Sequence, residues 1–343
     1  MNVIVESHIP YIKGRLEPFA HVEYLPPELI TRQAVDEADA LVVRTRTRCD
    51  EALLAGGRCR VVATATIGTD HVDLDYCGSA GITVVNAPGC NAPAVAQYVH
   101  ATAAHLLDRL GQRPAELTIG IVGVGHVGSI VERWAREIGY GQVLLCDPPR
   151  ARREGGDSFT SLDEVARQAD IITFHTPLTT TGADATWHLC GSRFLESLEH
   201  CLLLINSARG AVADNVALAM ALESGKTAHA AIDCWEGEPR ISATLLERAF
   251  VATPHIAGYS AEGKMRATAM VLEALNDHFG WNAAVPWPST PLLGATRVTL
   301  ERVRGSYNPL ADTAALRDAA RQGDIAQGFE RLRDSYTLRH ELA

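Results

Sequence analysis

At 343 residues, 47% of them apolar, the chain holds too much hydrophobic material for one ordinary core and enough for two or three. Its formal net charge of −10 argues against nucleic acid or an anionic membrane as partner, since both demand a basic face. No stretch approaches the roughly 20 apolar residues of a membrane span, and the start MNVIVESHIP lacks the basic end and apolar run of a signal peptide, so the cytoplasm is the expected location.

Five short β-branched runs come first: VIVE at 3–6, HVEYL at 21–25, DALVVR at 39–44, RVVATAT at 60–66 and ITVVN at 82–86. Alternating with polar or helical stretches, they predict a small parallel α/β domain. A helical pattern spans about Ala92 to Leu110, after which TIGIVGVGHVG opens a second series. Its strands are IGIVG, QVLLC, DIITFH, LLLIN, AAIDC and FVATP. Their spacing of roughly 25 residues leaves room for crossover helices and predicts a doubly wound sheet. A further helix, Ala261 to Phe279, leads out of this sheet, and the proline-rich WNAAVPWPSTP marks a boundary before a third, smaller unit. In that tail, ALRDAARQ and GFERLRDSY can form amphipathic helices but are too short for a core of their own, which predicts a two-fold homodimer. The eight cysteines stand singly, with neither a C-x-x-C pair nor zinc-type spacing, and read as reduced, mostly buried thiols; no metal site is expected.

Gly123, Gly125 and Gly128 form G-V-G-H-V-G between a predicted strand and an amphipathic helix carrying Val127, Val131, Trp134 and Ile138 on one face. Such glycines permit a tight turn and close backbone approach, and the helix N-terminus presents free N–H groups to a pyrophosphate. The next strand ends in Asp147, about 20 positions on, where an acid accepts bonds from both ribose hydroxyls and repels a 2′-phosphate. NAD is therefore the expected cofactor. Arg150, Arg152 and Arg153 nearby are the residues that speak for NADP instead.

Three more segments close strands of the same half: NSARG at 206–210, DCWEGEP at 233–239 and TPHIAGYS at 253–260. Arg209 can hold a carboxylate through two parallel bonds. Oxidising an alcohol by hydride transfer also requires a base, and His255 has the side chain whose pKa suits that task near neutrality. A carboxylate beside it orients the ring and stabilises the imidazolium. Glu238 is the candidate, with Asp233 and Glu236 as competitors; Asp233 is expected to face the nicotinamide amide and Glu236 is as readily a solvated residue. Among the other histidines, His71, His126 and His175 lie at predicted strand or loop ends. His175 is expected to support the cofactor wall, and His126 to matter through its backbone alone.

In order and wording, these segments resemble the D-isomer-specific 2-hydroxyacid dehydrogenases. The likeness extends to VRTRT at 43–47, TATIGTDHVD at 64–73, NAPGCNAPAVAQYV at 86–99 and CDPPRA at 146–151, and so spans nearly the whole chain. The resemblance implies Arg209, Glu238 and His255 as active-site residues, with His255 the proton carrier. It implies Asp147, Thr176, Ala208, Asp233 and Gly258 on NAD, with Gly125, His126 and Val127 on the pyrophosphate. Thr45, Thr66 and Tyr259 are the implied substrate contacts, although position 45 is Thr where Ser is expected. The implied substrate is a small phosphorylated D-2-hydroxy acid, with Arg44 and Arg46 of VRTRT as candidates for its phosphate. The implied fold is α/β, with two doubly wound parallel-sheet domains and a small C-terminal α+β dimerisation segment at 282–343. These domains are a flavodoxin-like substrate domain (1–95, completed by 258–281) and an inserted Rossmann NAD domain (96–257). The competing readings are another D-2-hydroxy acid as substrate, such as 3-phosphoglycerate, and a non-catalytic NAD(H)-sensing interaction protein.

Overall fold

The computed structural model describes residues 1–281 and 297–342. Contacts divide the chain into two units, one joining Met1–Asn91 to the residues from Ser260 on, the other joining Ala92–Tyr259 to the C-terminal residues.

In the first unit, the five β-branched runs form strands β1 (Asn2–Glu6), β2 (His21–Leu25), β3 (Ala40–Val43), β4 (Val61–Thr64) and β5 (Thr83–Val85). They pair in parallel in the order β2-β1-β3-β4-β5, the flavodoxin-like arrangement. β3 and β4 are buried along their whole length, as expected of strands covered on both faces. The helix Ala261–Phe279 contributes Ala267, Val271, Leu272 and Leu275 to one of these faces. Its start is fixed by the Ser260 side chain, which accepts from the backbone of Gly263 at 2.9 Å.

The second unit holds β6 (Thr118–Val122), β7 (Gln142–Cys146), β8 (Ile171–Phe174), β9 (Leu203–Asn206), β10 (His229–Ile232) and β11 (Val251–Ala252). All pair in parallel, in the order β11-β10-β9-β8-β6-β7. The chain runs from β6 outward to β7 and then back to β8 on the other side, so the winding reverses between β6 and β8. An open α/β sheet places its ligand crevice at that switch point, beyond the carboxyl ends of the strands. The helix Ala92–Leu110 is buried in this unit from its first turn, which is why the division falls at Asn91 rather than near residue 95.

The C-terminal residues add three helices, Leu300–Ser306, Pro309–Gln322 and Ile325–Asp334. The sequence reading made them part of a separate unit. In the structure, Val298, Val303 and Tyr307 join the core on one face of the second sheet, while Leu316 and Phe329 join the core on the other. The Thr313 hydroxyl also accepts from the backbone of Ala252 at 3.0 Å, satisfying a donor on the edge strand β11. Short helices without a core of their own have buried their apolar faces here. All eight cysteines are buried free thiols, and no helix among the described residues is long and apolar enough to cross a membrane.

Candidate active site

The glycine loop lies where β6 ends and the helix His126–Ile138 begins. Gly123 has φ +87°, and a Cβ there would stand 2.8 Å from the backbone of His175 at the end of β8. At Gly128 a Cβ would fall 2.1 Å from the Gly123 carbonyl oxygen, so helix and strand can pack only on a glycine. Gly125, by contrast, faces open space and caps the helix without a side chain, leaving the first-turn N–H groups of His126 and Val127 without a capping partner from that residue. His126 is exposed and Val127 half-buried. Beside the loop, the buried Thr176 hydroxyl has no hydrogen-bond partner among the described residues. A glycine cradle, an uncapped helix start and an orphaned hydroxyl fit the pyrophosphate end of a dinucleotide.

Asp147 follows β7. Its Oδ2 accepts from the Val124 backbone of the glycine loop at 2.8 Å, and its Oδ1 accepts from Arg150 N at 2.9 Å. The carboxylate thus ties the loop to the next helix. The three arginines that spoke for NADP are each paired: Arg150 with Glu154 at 2.8 Å, Arg153 with Glu154 at 3.9 Å, and Arg152 with Asp184.

The ends of β9, β10 and β11, neighbours in the sheet, carry the charged set. Nδ1 of His255 and Oε2 of Glu238 lie 2.8 Å apart, while Glu238 Oε1 accepts from Trp235 N at 2.7 Å. His255 adopts a left-handed φ of +56°, rare for a residue with a side chain, and its N–H donates to the Asp233 carbonyl at 2.9 Å. Burial opposes charge on this ring, but Cys234 and Glu238 outweigh it and hold the imidazole well above the ordinary histidine range. Burial likewise opposes charge on Glu238, yet His255 and the Trp235 backbone keep its carboxyl below the usual value. Burial raises the Cys234 thiol while its contact with His255 opposes that rise, and Glu238 is the carboxylate of the cluster. Reactive atoms of Cys234, Glu238 and His255 lie within 4.8 Å of one another. The sequence reading took Cys234 only as one of eight buried thiols, since a lone cysteine offers no signal of its neighbours.

Arg209, half-buried, stands at the end of the β9 loop, where Asn206 Nδ2 donates to the carbonyls of Arg209 at 3.0 Å and Cys234 at 3.3 Å. A Cβ on Gly210 would lie 1.9 Å from the Trp235 carbonyl oxygen, so the Arg209 loop sits directly on the Glu238 loop. Ala208 is buried, its N–H donating to Asn206 Oδ1 at 3.2 Å. Glu236 points elsewhere, to His188 Nε2 at 2.6 Å and Asn215 N at 2.9 Å. Asp233 is fully buried and accepts from Thr253 Oγ1 at 2.7 Å, Ile256 N at 2.8 Å and Ala257 N at 2.9 Å. It therefore shapes the loop that carries His255.

That loop ends at Gly258 and Tyr259, both half-buried. Here the C-terminal segment intervenes. Arg339 Nη1 donates to the carbonyls of Ile256 and Tyr259, each at 3.1 Å, and its Nη2 donates to those of Ala94 and Ala257. Arg333 Nε donates to the Tyr259 hydroxyl at 3.2 Å. Neither arginine has a local sequence signal, since both act on loops distant in the chain.

The remaining site residues belong to the first unit. β3 ends at Val43, so the rest of VRTRT, from Arg44 to Thr47, leaves the strand as a turn. The cause is Glu6, a buried carboxylate that accepts from Arg44 N at 2.9 Å and Thr47 Oγ1 at 3.2 Å and pulls the chain round. Arg44 Nη1 donates to the His8 carbonyl at 3.4 Å, and Thr45 and Arg46 are exposed. Thr66 is half-buried after β4, its hydroxyl donating to the Gly68 carbonyl at 2.9 Å. His71 bonds Thr64 Oγ1 at 3.0 Å, and burial lowers its pKa. His175 bonds Thr173 Oγ1 at 3.0 Å and is pushed down to about 3, first by burial and then by His100. Both histidines are neutral structural residues.

The family model described as D-isomer specific 2-hydroxyacid dehydrogenase, NAD binding domain, matches residues 91–257. A glyoxylate reductase from Paecilomyes thermophila has a similar structure, with a TM-score of 0.65 and 25% identity, covering 81% of this chain and 94% of that one. The chain belongs to the D-isomer specific 2-hydroxyacid dehydrogenases and is an NAD-dependent oxidoreductase. Within that family it is similar to the erythronate-4-phosphate dehydrogenase of Bacteroides thetaiotaomicron, at 44% identity over 99% of this chain and 97% of the relative. To the same enzyme of Edwardsiella ictaluri it is 43% identical over 99% and 93% of the two chains.

Proposed function

We propose that the chain oxidises 4-phospho-D-erythronate at C2 to (R)-3-hydroxy-2-oxo-4-phosphooxybutanoate with reduction of NAD, a step in pyridoxal 5′-phosphate biosynthesis. The full-length similarity to erythronate-4-phosphate dehydrogenases supports the substrate. The observation that carries the chemistry is the 2.8 Å pair between His255 and Glu238, beside the Arg209 loop.

Arg209 holds the C1 carboxylate through its planar fork and so fixes C2. With Nδ1 engaged by Glu238, His255 offers Nε2 to the C2 hydroxyl and takes its proton as the hydride leaves carbon. Glu238 stabilises the imidazolium that results, as a carboxylate does beside any histidine base. Bound NAD supplies the hydride acceptor. The backbone of Gly125, His126 and Val127 receives its pyrophosphate, with Gly123 and Gly128 allowing the approach, and Asp147 takes the ribose hydroxyls. Thr176, Ala208, Asp233 and Gly258 line the rest of the dinucleotide site. Thr45, Thr66 and Tyr259 contact the substrate, and Arg44 and Arg46 add positive charge for its phosphate.

The protein works in the cytoplasm as a homodimer through its C-terminal segment; the buried thiols suit a reducing compartment. Size-exclusion chromatography with light scattering checks the dimer against the chain mass of 36.9 kDa. The substrate is tested by kcat/KM for NADH formation with 4-phosphoerythronate, erythronate and 3-phosphoglycerate side by side. Phosphoerythronate is expected to lead erythronate by about ten- to a hundredfold, the worth of a charge-assisted phosphate contact. Equal use of erythronate, or a lead for 3-phosphoglycerate, overturns the assignment.

A further inference from the structure

Three half-buried arginines of the C-terminal helical segment reach the second unit's loops, and they are used differently. Arg317 spends its guanidinium on the carbonyls of Leu246, Glu247 and Ala249, at 3.0, 3.2 and 2.6 Å from Nη2. Arg339 is also saturated, its Nε donating to Gln97 at 3.3 Å while both terminal nitrogens bond backbone carbonyls and the ring of Tyr307 stacks 4.3 Å away. Both are structural. Arg333, on the last turn of the helix Ile325–Asp334, makes one hydrogen bond, from Nε to the Tyr259 hydroxyl at 3.2 Å. Its two terminal nitrogens make none among the described residues.

Tyr259 closes the loop that carries His255, four residues on, and Arg333 lies close enough to Glu238 to feel its charge. That glutamate is already matched by His255 at 2.8 Å, so it does not neutralise the guanidinium through a bond of its own. A half-buried arginine held at Nε by the Tyr259 hydroxyl presents its terminal fork, two parallel donors, to an anion of matching geometry. We propose that Arg333 is a substrate contact supplied by the C-terminal segment, and that it binds the phosphate of the phosphorylated hydroxy acid. This rests on the substrate reading given above. Arg209 takes the carboxylate at the reacting end, which leaves the phosphate, to which Arg44 and Arg46 lend charge, as the second anion that a planar fork can hold. The tail then does more than pair subunits, because it also helps separate a phosphate ester from its parent acid.

The test compares wild type with Arg333→Gln and Arg333→Lys on 4-phosphoerythronate and erythronate, with inorganic phosphate as a competing probe. Thermal melting and NADH binding by fluorescence confirm that each variant is folded. Arg333→Gln is expected to narrow the preference for the phosphate ester by about ten- to a hundredfold and to weaken inhibition by inorganic phosphate in proportion. Arg333→Lys, which keeps the charge without the fork, is expected to recover part of the preference. An equal fall on both substrates, with phosphate inhibition unaltered, makes Arg333 a support for Tyr259 and overturns the proposal. A wild-type enzyme indifferent to the phosphate ester sinks the substrate reading instead, while the phosphate-inhibition arm still decides whether Arg333 holds an anion.

Discussion

Replacing Glu238 by Gln removes the anion beside His255 and leaves its volume almost unchanged. The pair is 2.8 Å apart, with side chains 31% and 20% exposed, so solvent screens it only in part. A charge-assisted bond in such a setting is worth about 1.5–3 kcal/mol. Wild-type His255 is held above the ordinary value of 6.5. Oxidation needs the neutral ring, so wild-type kcat/KM for NADH formation rises with pH along a limb whose midpoint lies above 6.5. In Glu238→Gln that midpoint is expected to fall, because the ring loses the carboxylate that favours its charged form. The plateau is expected to fall by about ten- to a hundredfold, because the imidazolium formed in the reaction has lost its partner. Initial rates from pH 5 to 10 read both quantities. An unchanged midpoint would show that Glu238 does not set the histidine's charge and would refute the reasoning. Stability follows the same groups: a raised histidine stabilises the fold below its unfolded value and loses that contribution as pH rises through its folded one, while a lowered glutamate stabilises above its unfolded value and loses it as pH falls. The pair's contribution is therefore largest between the two ordinary values, 4.5 and 6.5, and the melting difference between wild type and variant is expected to peak there.

Asp147→Ala is expected to bring the kcat/KM values for NAD and NADP closer together, and to cost about 1 kcal/mol in a denaturant melt through loss of the cap to Arg150; an unaltered cofactor ratio contradicts the ribose role. Gly128→Ala drives a methyl to 2.1 Å from the Gly123 carbonyl oxygen and is expected to weaken NADH binding by at least about tenfold in a fluorescence titration. Arg339→Ala leaves the carbonyls of Ile256, Ala257 and Tyr259 without this donor. It is expected to cost about 2–4 kcal/mol of stability and to lower kcat, both read on the same preparation by melting and by turnover.

Much of the fold is written locally. The β-branched runs and the spacing between them place all five strands of the first sheet and all six of the second, and the strands covered on both faces, such as β3 and β4, are apolar almost throughout. The glycine loop is legible too: at Gly123 and Gly128 only a missing Cβ avoids its neighbours. Other features depend on contacts that no local pattern encodes. The turn at VRTRT is imposed by Glu6, 38 residues away from Arg44 in the chain. Glu236 and Glu238 are equivalent as letters, and it takes the fold to send one to His188 and the other to His255. Arg333 and Arg339 reach the His255 loop across 74 and 80 residues or more, which periodicity cannot reveal. The C-terminal helices show amphipathic faces in sequence, but not that the second sheet's own cores would receive them.

The most direct test of the central claim, that His255 carries the proton in an NAD-dependent oxidation, is the turnover of His255→Ala set against its affinity for NADH. The account predicts that kcat falls by about a hundredfold or more while the NADH dissociation constant stays within about twofold of wild type. A variant that binds NADH normally and still turns over near the wild-type rate contradicts it.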